Sequence, residues 1–329
     1  MWFEALTGFP EHNADLVRSN LHLDGNVMTS VVNDRKMVCG HLETAALAGL
    51  HSRVREVDIP QGPLKLSEVV GDVQQIHQAP ENAGALFQVA SQFNLLEMAA
   101  PSYTPEDGID IYERDATQGP ACAIACGAGT IYRNYFAEVN GQIGQTADHQ
   151  IDCLADLSDA LDNTSERLWT MQNGYALATA EGLRKITDRL QQASDSERDN
   201  LRKKLRIGVQ SGTQVTLGSA EHQVSQAFCS ALPVAYSSHS DGLWEEFATL
   251  VLEAAYEATI CAAVLNSVRT DNNKVYLTLL GGGAFGNRED WILSAIQRVL
   301  REYRDADLDV MIVSYGSSSS RIQEMIQAW

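Results

Sequence analysis

Apolar and polar positions follow two rhythms along this chain. Val275–Leu280 (VYLTLL) is a run of apolar and β-branched residues that predicts a buried strand. Gly281, Gly282 and Gly283 come next. Beyond them Trp291, Ile292, Ala295, Ile296, Val299 and Leu300 recur at three- and four-residue spacing, which predicts an amphipathic helix. A strand that delivers a glycine-rich turn to a helix N-terminus is one way α/β proteins hold phosphate, because the backbone can approach a ligand with its N–H groups inward. No Lys-Ser/Thr pair follows and the glycines are consecutive rather than spaced, so neither common phosphate motif is present. A tight turn without a ligand is the plain alternative.

The same patterns recur elsewhere. Ala85–Ala90, Leu205–Val209, Val215–Leu217 and Leu308–Val313 read as strands, with shorter candidates at Val27–Val32 and Pro233–Tyr236. Leu42–Leu50 reads as a helix, and Phe247–Leu265 as a helix with one wide apolar face. Ala121–Ala125 suits a close-packed strand or helix. Asp58–Gly71, punctuated by Pro60, Gly62, Pro63 and Gly71, reads as loop. Strands alternating with helices predict an α/β, three-layer α/β/α domain with a mixed central sheet. Residues 1–70 are expected as an N-terminal extension packed on the core. Residues 71–329 are the main domain, with a polar helical insertion around 148–204 broken at Ser194–Ser196.

Composition narrows the partners. With 24 Lys and Arg against 43 Asp and Glu the net charge is −19, which argues against nucleic acid and anionic membrane while leaving a phosphate ligand and a basic protein open. No stretch reads as long and apolar enough to span a bilayer, and the first residues lack a basic start and apolar run. The six cysteines are scattered in apolar company, as expected for buried thiols in a reducing compartment. Cys122 and Cys126 are poorly spaced for zinc, and no metal is expected. The chain reads as a cytoplasmic or otherwise intracellular monomer.

Polar residues at strand ends are where α/β proteins place ligands. Gln88 interrupts the Ala85–Ala90 strand, and Ser91, Gln92 and Asn94 follow it. Gln88 lines a cleft or makes a core hydrogen bond, whereas Asn94 is the better ligand candidate. A loop marked by Pro101, Pro105 and Gly108 carries Asp107, Asp110 and Asp115 ahead of Thr117 and Gln118. Such aspartates also form turns and caps. Asp110 alternates with Ile109 and Ile111 and reads as solvated or supporting. Tyr132 and Arg133 are candidates to approach the ligand, with pairing to a structural acid the alternative for Arg133. His77, His222 and His239 have no partner spacing, so no Ser-His-Asp arrangement can be assembled.

Three segments, ALFQVASQFNLLEM, EDGIDIYERDATQGPACAIACGAGTIYRNYF and VYLTLLGGGAFGN, together resemble the macrodomain-like ADP-ribosylhydrolases from about Gly71 to Gly316. They are most similar to the branch that removes ADP-ribose from arginine of ubiquitin. The resemblance implies a macrodomain-like fold with ADP-ribose, as substrate moiety or product, in a cleft at the strand C-termini. It assigns Gly281, Gly282, Gly283, Ala284, Phe285, Gly286 and Asn287 to the diphosphate and distal ribose, and Ala85–Asn94, with Gln88 and Asn94, to the opposite wall. Thr117 and Gln118, which adjoin the acidic loop, are expected as substrate contacts or turn caps. Asp107 and Asp115 would be the catalytic carboxylates, Asp115 nearest the reaction and Asp107 orienting ribose or guanidinium. No cofactor is implied. The paired glutamates that follow the glycine run in poly(ADP-ribose) glycohydrolases are absent, as is the zinc-ligand pattern of metal-dependent macrodomains. The function so implied is removal of mono-ADP-ribose from protein arginine. The other readings are an ADP-ribose-binding module without turnover and a hydrolase of free ADP-ribose derivatives.

Overall fold

The computed structural model describes residues 1–329. Seven strands form the central sheet: β1 His41–Ala46, β2 Lys65–Val70, β3 Leu86–Ala90, β4 Arg206–Gln214, β5 Gln223–Cys229, β6 Lys274–Leu277 and β7 Asp309–Ser314. Their spatial order is β1-β4-β5-β3-β6-β7-β2. Strand β4 is antiparallel to both neighbours, while β5, β3, β6, β7 and β2 run parallel. The sheet is therefore mixed, as the pattern predicted. The carboxyl ends of β5, β3, β6 and β7 share one edge.

Helices cover both faces. The 30-residue helix Asp241–Thr270 is the spine of one layer, packed against Leu47–Arg55, Ala180–Gln192, Asp195–Arg202 and Glu289–Glu302. It extends the predicted Phe247–Leu265 helix at both ends and stops where Asp271 turns left-handed, at φ 58°. By length and composition it could cross a membrane, contrary to the expectation that no stretch would. However, 83% of its apolar window is buried in the fold, so it belongs to the core. The other layer holds Val73–Gln78, Gln118–Ala125 and Gly127–Tyr135.

Several expectations change. Asp58–Gly71 is not all loop, since its second half is β2, which pairs with β7. Pro60, Gly62 and Pro63 confine the irregular backbone to the approach. An edge strand, bonded on one side, tolerates Lys65 and Glu68. His41–Ala46 is strand rather than helix because pairing with β4 overrides a helix-compatible composition, and the helix begins only at Leu47. Residues 1–70 thus supply both edge strands of the sheet. Val215–Leu217 lies beyond β4 and is not strand, and Pro233–Tyr236 holds a 3₁₀ turn at Val234–Tyr236. Strand β5, with a polar start, was not anticipated. The insertion contains the helices Ala155–Ala160, Ala180–Gln192 and Asp195–Arg202, but also a hairpin, Trp169–Gln172 with Tyr175–Ala178.

Residues 1–39 form a satellite of two short helices and a three-stranded sheet. Its Phe3, Leu6, Phe9, Val17 and Met28 share an apolar cluster with Ile109, Tyr112, Ile131 and Tyr135. The N-terminal segment therefore packs directly on the loop that bears the acidic residues.

Candidate active site

A cleft of about 220 Å³ opens at the carboxyl edge of β3 and β6. Four groups of residues converge on it.

The first follows β3. Gln92 ties a tight turn by accepting from the Met98 amide, and its own amide donates to the Leu96 carbonyl. Glu97 hangs from this turn into the cleft, 3% exposed, and neither carboxylate oxygen has a hydrogen-bond partner. Burial pushes its pKa up to about 7, against the pull of Arg133, whose guanidinium stands 3.6 Å from Oε1. Arg133 is wholly buried, donates to Leu95 O and Thr130 Oγ1, and lies 3.7 Å over the Phe228 ring. It is the structural partner of an acid, which settles the choice posed by its sequence. A buried carboxyl poised near neutrality at the wall of a cleft has the properties of a general acid or base.

The second segment is Asp115–Pro120. The Asp115 carboxylate accepts from the Thr117 amide at 2.9 Å and lines the cleft with Thr117 and Gln118. Gln118 continues the β3 ladder, accepting from the Ala90 amide and donating to the Gln88 carbonyl. The third is the glycine loop. Gly281 has φ +73°, and a Cβ there would press on Ala231 and on Asn287 Nδ2, the latter at 2.6 Å. Asn287 closes the loop, donating from its backbone to Gly281 O and from its side chain to Leu232 O. The amides of Gly281, Gly283, Ala284 and Phe285 make no hydrogen bond within the protein. Unpaired donors along a cleft wall suit an anionic oxygen.

The fourth is aromatic. Phe285, Tyr236 and Tyr175, the last from the insertion's hairpin, lie with ring centroids 5.1–5.6 Å apart, and all three line the cleft. Tyr315, one residue beyond β7, is 85% exposed on the same sheet edge. Its loop is anchored by Glu68, which accepts from Ser314, Ser318, Ser319 and Gln323. Partial burial opposes ionisation there, but these bonds prevail and hold the carboxyl at about 2.

Of the residues expected at a site, Asp115, Thr117, Gln118, Gly281, Gly283, Ala284 and Phe285 line the cleft. Gly282, Gly286 and Asn287 shape the loop without facing it. Gln88 lies in the core, donating to Thr259 Oγ1 and accepting from the Thr278 amide, so it supports the cleft floor. Asn94 is fully buried, bonded to Leu96 N and Gln150. Asp107 is absent from the lining, and its Oδ2 accepts from the Thr104 amide and hydroxyl in a capping box. Its local role is that of a turn former.

Glu97, Tyr175 and Tyr236 were missed. Glu97 carried a signal, being the only charge between Ala83 and Ala100. Tyr175 and Tyr236 carried none, because a hairpin outside the recognisable segments brings one of them in.

The architecture and the cleft define an α/β protein with a two-carboxylate site at the carboxyl ends of parallel strands. Neither a protein-family model nor a curated protein matches the sequence. Among solved structures, the chain is similar to poly(ADP-ribose) glycohydrolase from Thermomonospora curvata at 9% identity, 99% coverage of this chain and 98% of that one, with a TM-score of 0.47. The same enzyme bound to the inhibitor ADP-HPD gives 9% identity, 99% coverage of each chain and a TM-score of 0.45. The poly(ADP-ribose) glycohydrolase from Deinococcus radiodurans in complex with ADP-ribose gives 10% identity, 86% and 90% coverage, and a TM-score of 0.44. Likeness at this level does not extend to activity.

Proposed function

We propose that the chain is a hydrolase that cleaves the glycosidic bond at C1″ of ADP-ribose joined to a protein arginine. The observation that carries this reading is a pair of carboxylates, Glu97 and Asp115, in a cleft whose opposite wall offers the unpaired amides of Gly281, Gly283, Ala284 and Phe285. Those amides suit a diphosphate, and the exposed Tyr315 offers a face for a base.

The chemistry follows from the donor set. In ADP-ribosyl-arginine the guanidinium is already protonated, so breaking the C1″–N bond sends the electron pair to nitrogen and releases a neutral guanidine. The Asp115 carboxylate stabilises the positive C1″ and takes a proton from the water whose oxygen bonds to that carbon. The guanidine regains this proton, and the products are ADP-ribose and arginine. Glu97 has two unpaired oxygens that are closed to solvent, so it would pair with a planar group donating two N–H bonds only once its turn shifts toward the cleft. The missing glutamate pair after the glycine run favours this linkage over the polymer for which the glycohydrolases are named. Ubiquitin is the substrate to which the sequence resemblance points, and a net charge of −19 suits a basic partner.

The test is ADP-ribose release from arginine-modified ubiquitin, an unrelated arginine-modified protein, and poly(ADP-ribose). Release from both modified proteins supports the arginine linkage, and release from ubiquitin alone adds the target. Release from the polymer only would replace the linkage. Binding of ADP-ribose without release from any substrate would identify a binding module.

A further inference from the structure

The turn that carries Asp115 is not held by its own neighbourhood. Gly108 enters it at φ +84°, and a Cβ there would lie 2.5 Å from Glu11 Oε2. The Glu11 carboxylate accepts from the amides of Ile109 (2.9 Å) and Asp110 (2.7 Å) and from the Tyr135 hydroxyl. Trp2 Nε1 donates to Ile109 O at 3.2 Å, and the Phe3 amide to Asp110 Oδ1 at 3.3 Å. Glu11 lines no part of the cleft, yet the turn it grips, Asp110–Arg114, runs directly into Asp115, which does. Tyr112 projects inward from that turn, fully buried, and its hydroxyl accepts from the Glu97 amide at 3.1 Å. Asp115 leaves the turn with its amide on Tyr112 O. One short element thus touches the backbone of one carboxylate and delivers the other.

We propose that Glu11 is a positioning residue for the reaction, fixing with Trp2 and Phe3 the turn that sets Asp115 against Glu97. This rests on the hydrolase reading. A half-buried carboxylate with three donors is a stiff anchor, because each donor left unpaired away from water is costly. Small displacements of reacting groups carry large rate penalties. The glycine loop, by contrast, is closed by Asn287 and has no contact with Glu11, so affinity for ADP-ribose does not depend on the anchor.

The experiment compares wild type with Glu11→Ala, Glu11→Gln and Gly108→Ala. Glu11→Ala is expected to lower kcat by ~10–100-fold, with KM and the ADP-ribose Kd within about threefold. Glu11→Gln, which retains one acceptor oxygen, falls between Glu11→Ala and wild type. Gly108→Ala disturbs the same junction from the other side and gives the same split if Glu11→Ala does not fold. A kcat within about twofold of wild type in Glu11→Gln and Gly108→Ala would overturn the proposal, as would losses that follow Kd. Amide hydrogen exchange separates this outcome from failure of the hydrolase reading. In Glu11→Gln, exchange should quicken across 109–115 and stay unchanged across 281–287, whether or not the wild type turns over substrate. Unchanged exchange at 109–115 overturns the anchor itself.

Discussion

The two walls of the cleft are built on opposite principles. The glycine loop is fastened mainly within itself, where Gly281 turns it and Asn287 closes it on Gly281 O, with two further ties to the segment at Leu232 and Ala235. The acidic turn is fastened from a distance, by Glu11 and Trp2, which lie about a hundred residues earlier in the chain. A wall that only has to present amides can be specified by a short motif. A wall that must aim a carboxylate at a carbon needs a rigid external frame.

The contrast predicts separable defects. The largest should come from Asp115→Asn, which lowers kcat at least ~100-fold while ADP-ribose affinity by calorimetry stays within about threefold. A parallel loss of affinity would place Asp115 in binding instead. Gly281→Ala should do the reverse. A residue with a Cβ at φ +73°, pressed on Ala231 and Asn287, distorts the amide wall and should weaken ADP-ribose binding by roughly tenfold or more, because the donors lose their common direction. An unaltered Kd would show that those amides do not meet the ligand.

Acidity sharpens the comparison next. Burial holds Glu97 near 7, so it ionises as pH rises through that value. A guanidinium requires the carboxylate, so kcat/KM on an arginine linkage should climb between about pH 6 and 8. An O-glycosidic substrate requires the acid, and its rate should fall over the same window. The sign for stability is also fixed. The folded pKa lies above the ordinary 4.5, so Glu97 costs stability progressively as pH rises from 4.5 through 7. Relative to Glu97→Gln, the wild type should lose roughly 3 kcal/mol by about pH 8, read from denaturant melts at several pH values. The smallest effect belongs to Asp107→Asn. Its contacts are with Thr104 rather than the cleft, and kcat should stay within about threefold of wild type.

What could be read from the sequence follows the same division. Val275–Asn287 was legible because strand, glycine turn and helix are local and each has its own pattern. Asp115 lines the cleft, but only the resemblance set it apart from Asp110 in the same loop, and Thr117 and Gln118 stood out because they adjoin that acidic loop. Glu97 was overlooked although it stood alone in an apolar run, and what places it in the cleft is a turn closed by Gln92. Asp107 looked equivalent to Asp115 because spacing does not show that one side chain folds back on Thr104. Strand β2 was hidden in a proline- and glycine-marked stretch, and the edge-strand role of His41–Ala46 emerges only through its partner β4. Tyr175 could not be foreseen, since a hairpin inside a helix-rich insertion brings it to Phe285.

The most direct measurement is single-turnover release of ADP-ribose from an arginine-modified protein by wild type and Glu97→Gln, alongside calorimetric ADP-ribose binding to both. Release by the wild type, loss of release in the variant and near-equal affinities are expected if the cleft is a catalytic centre. Equal release by both proteins would remove Glu97 from the chemistry. Binding by both with release by neither would contradict the hydrolase.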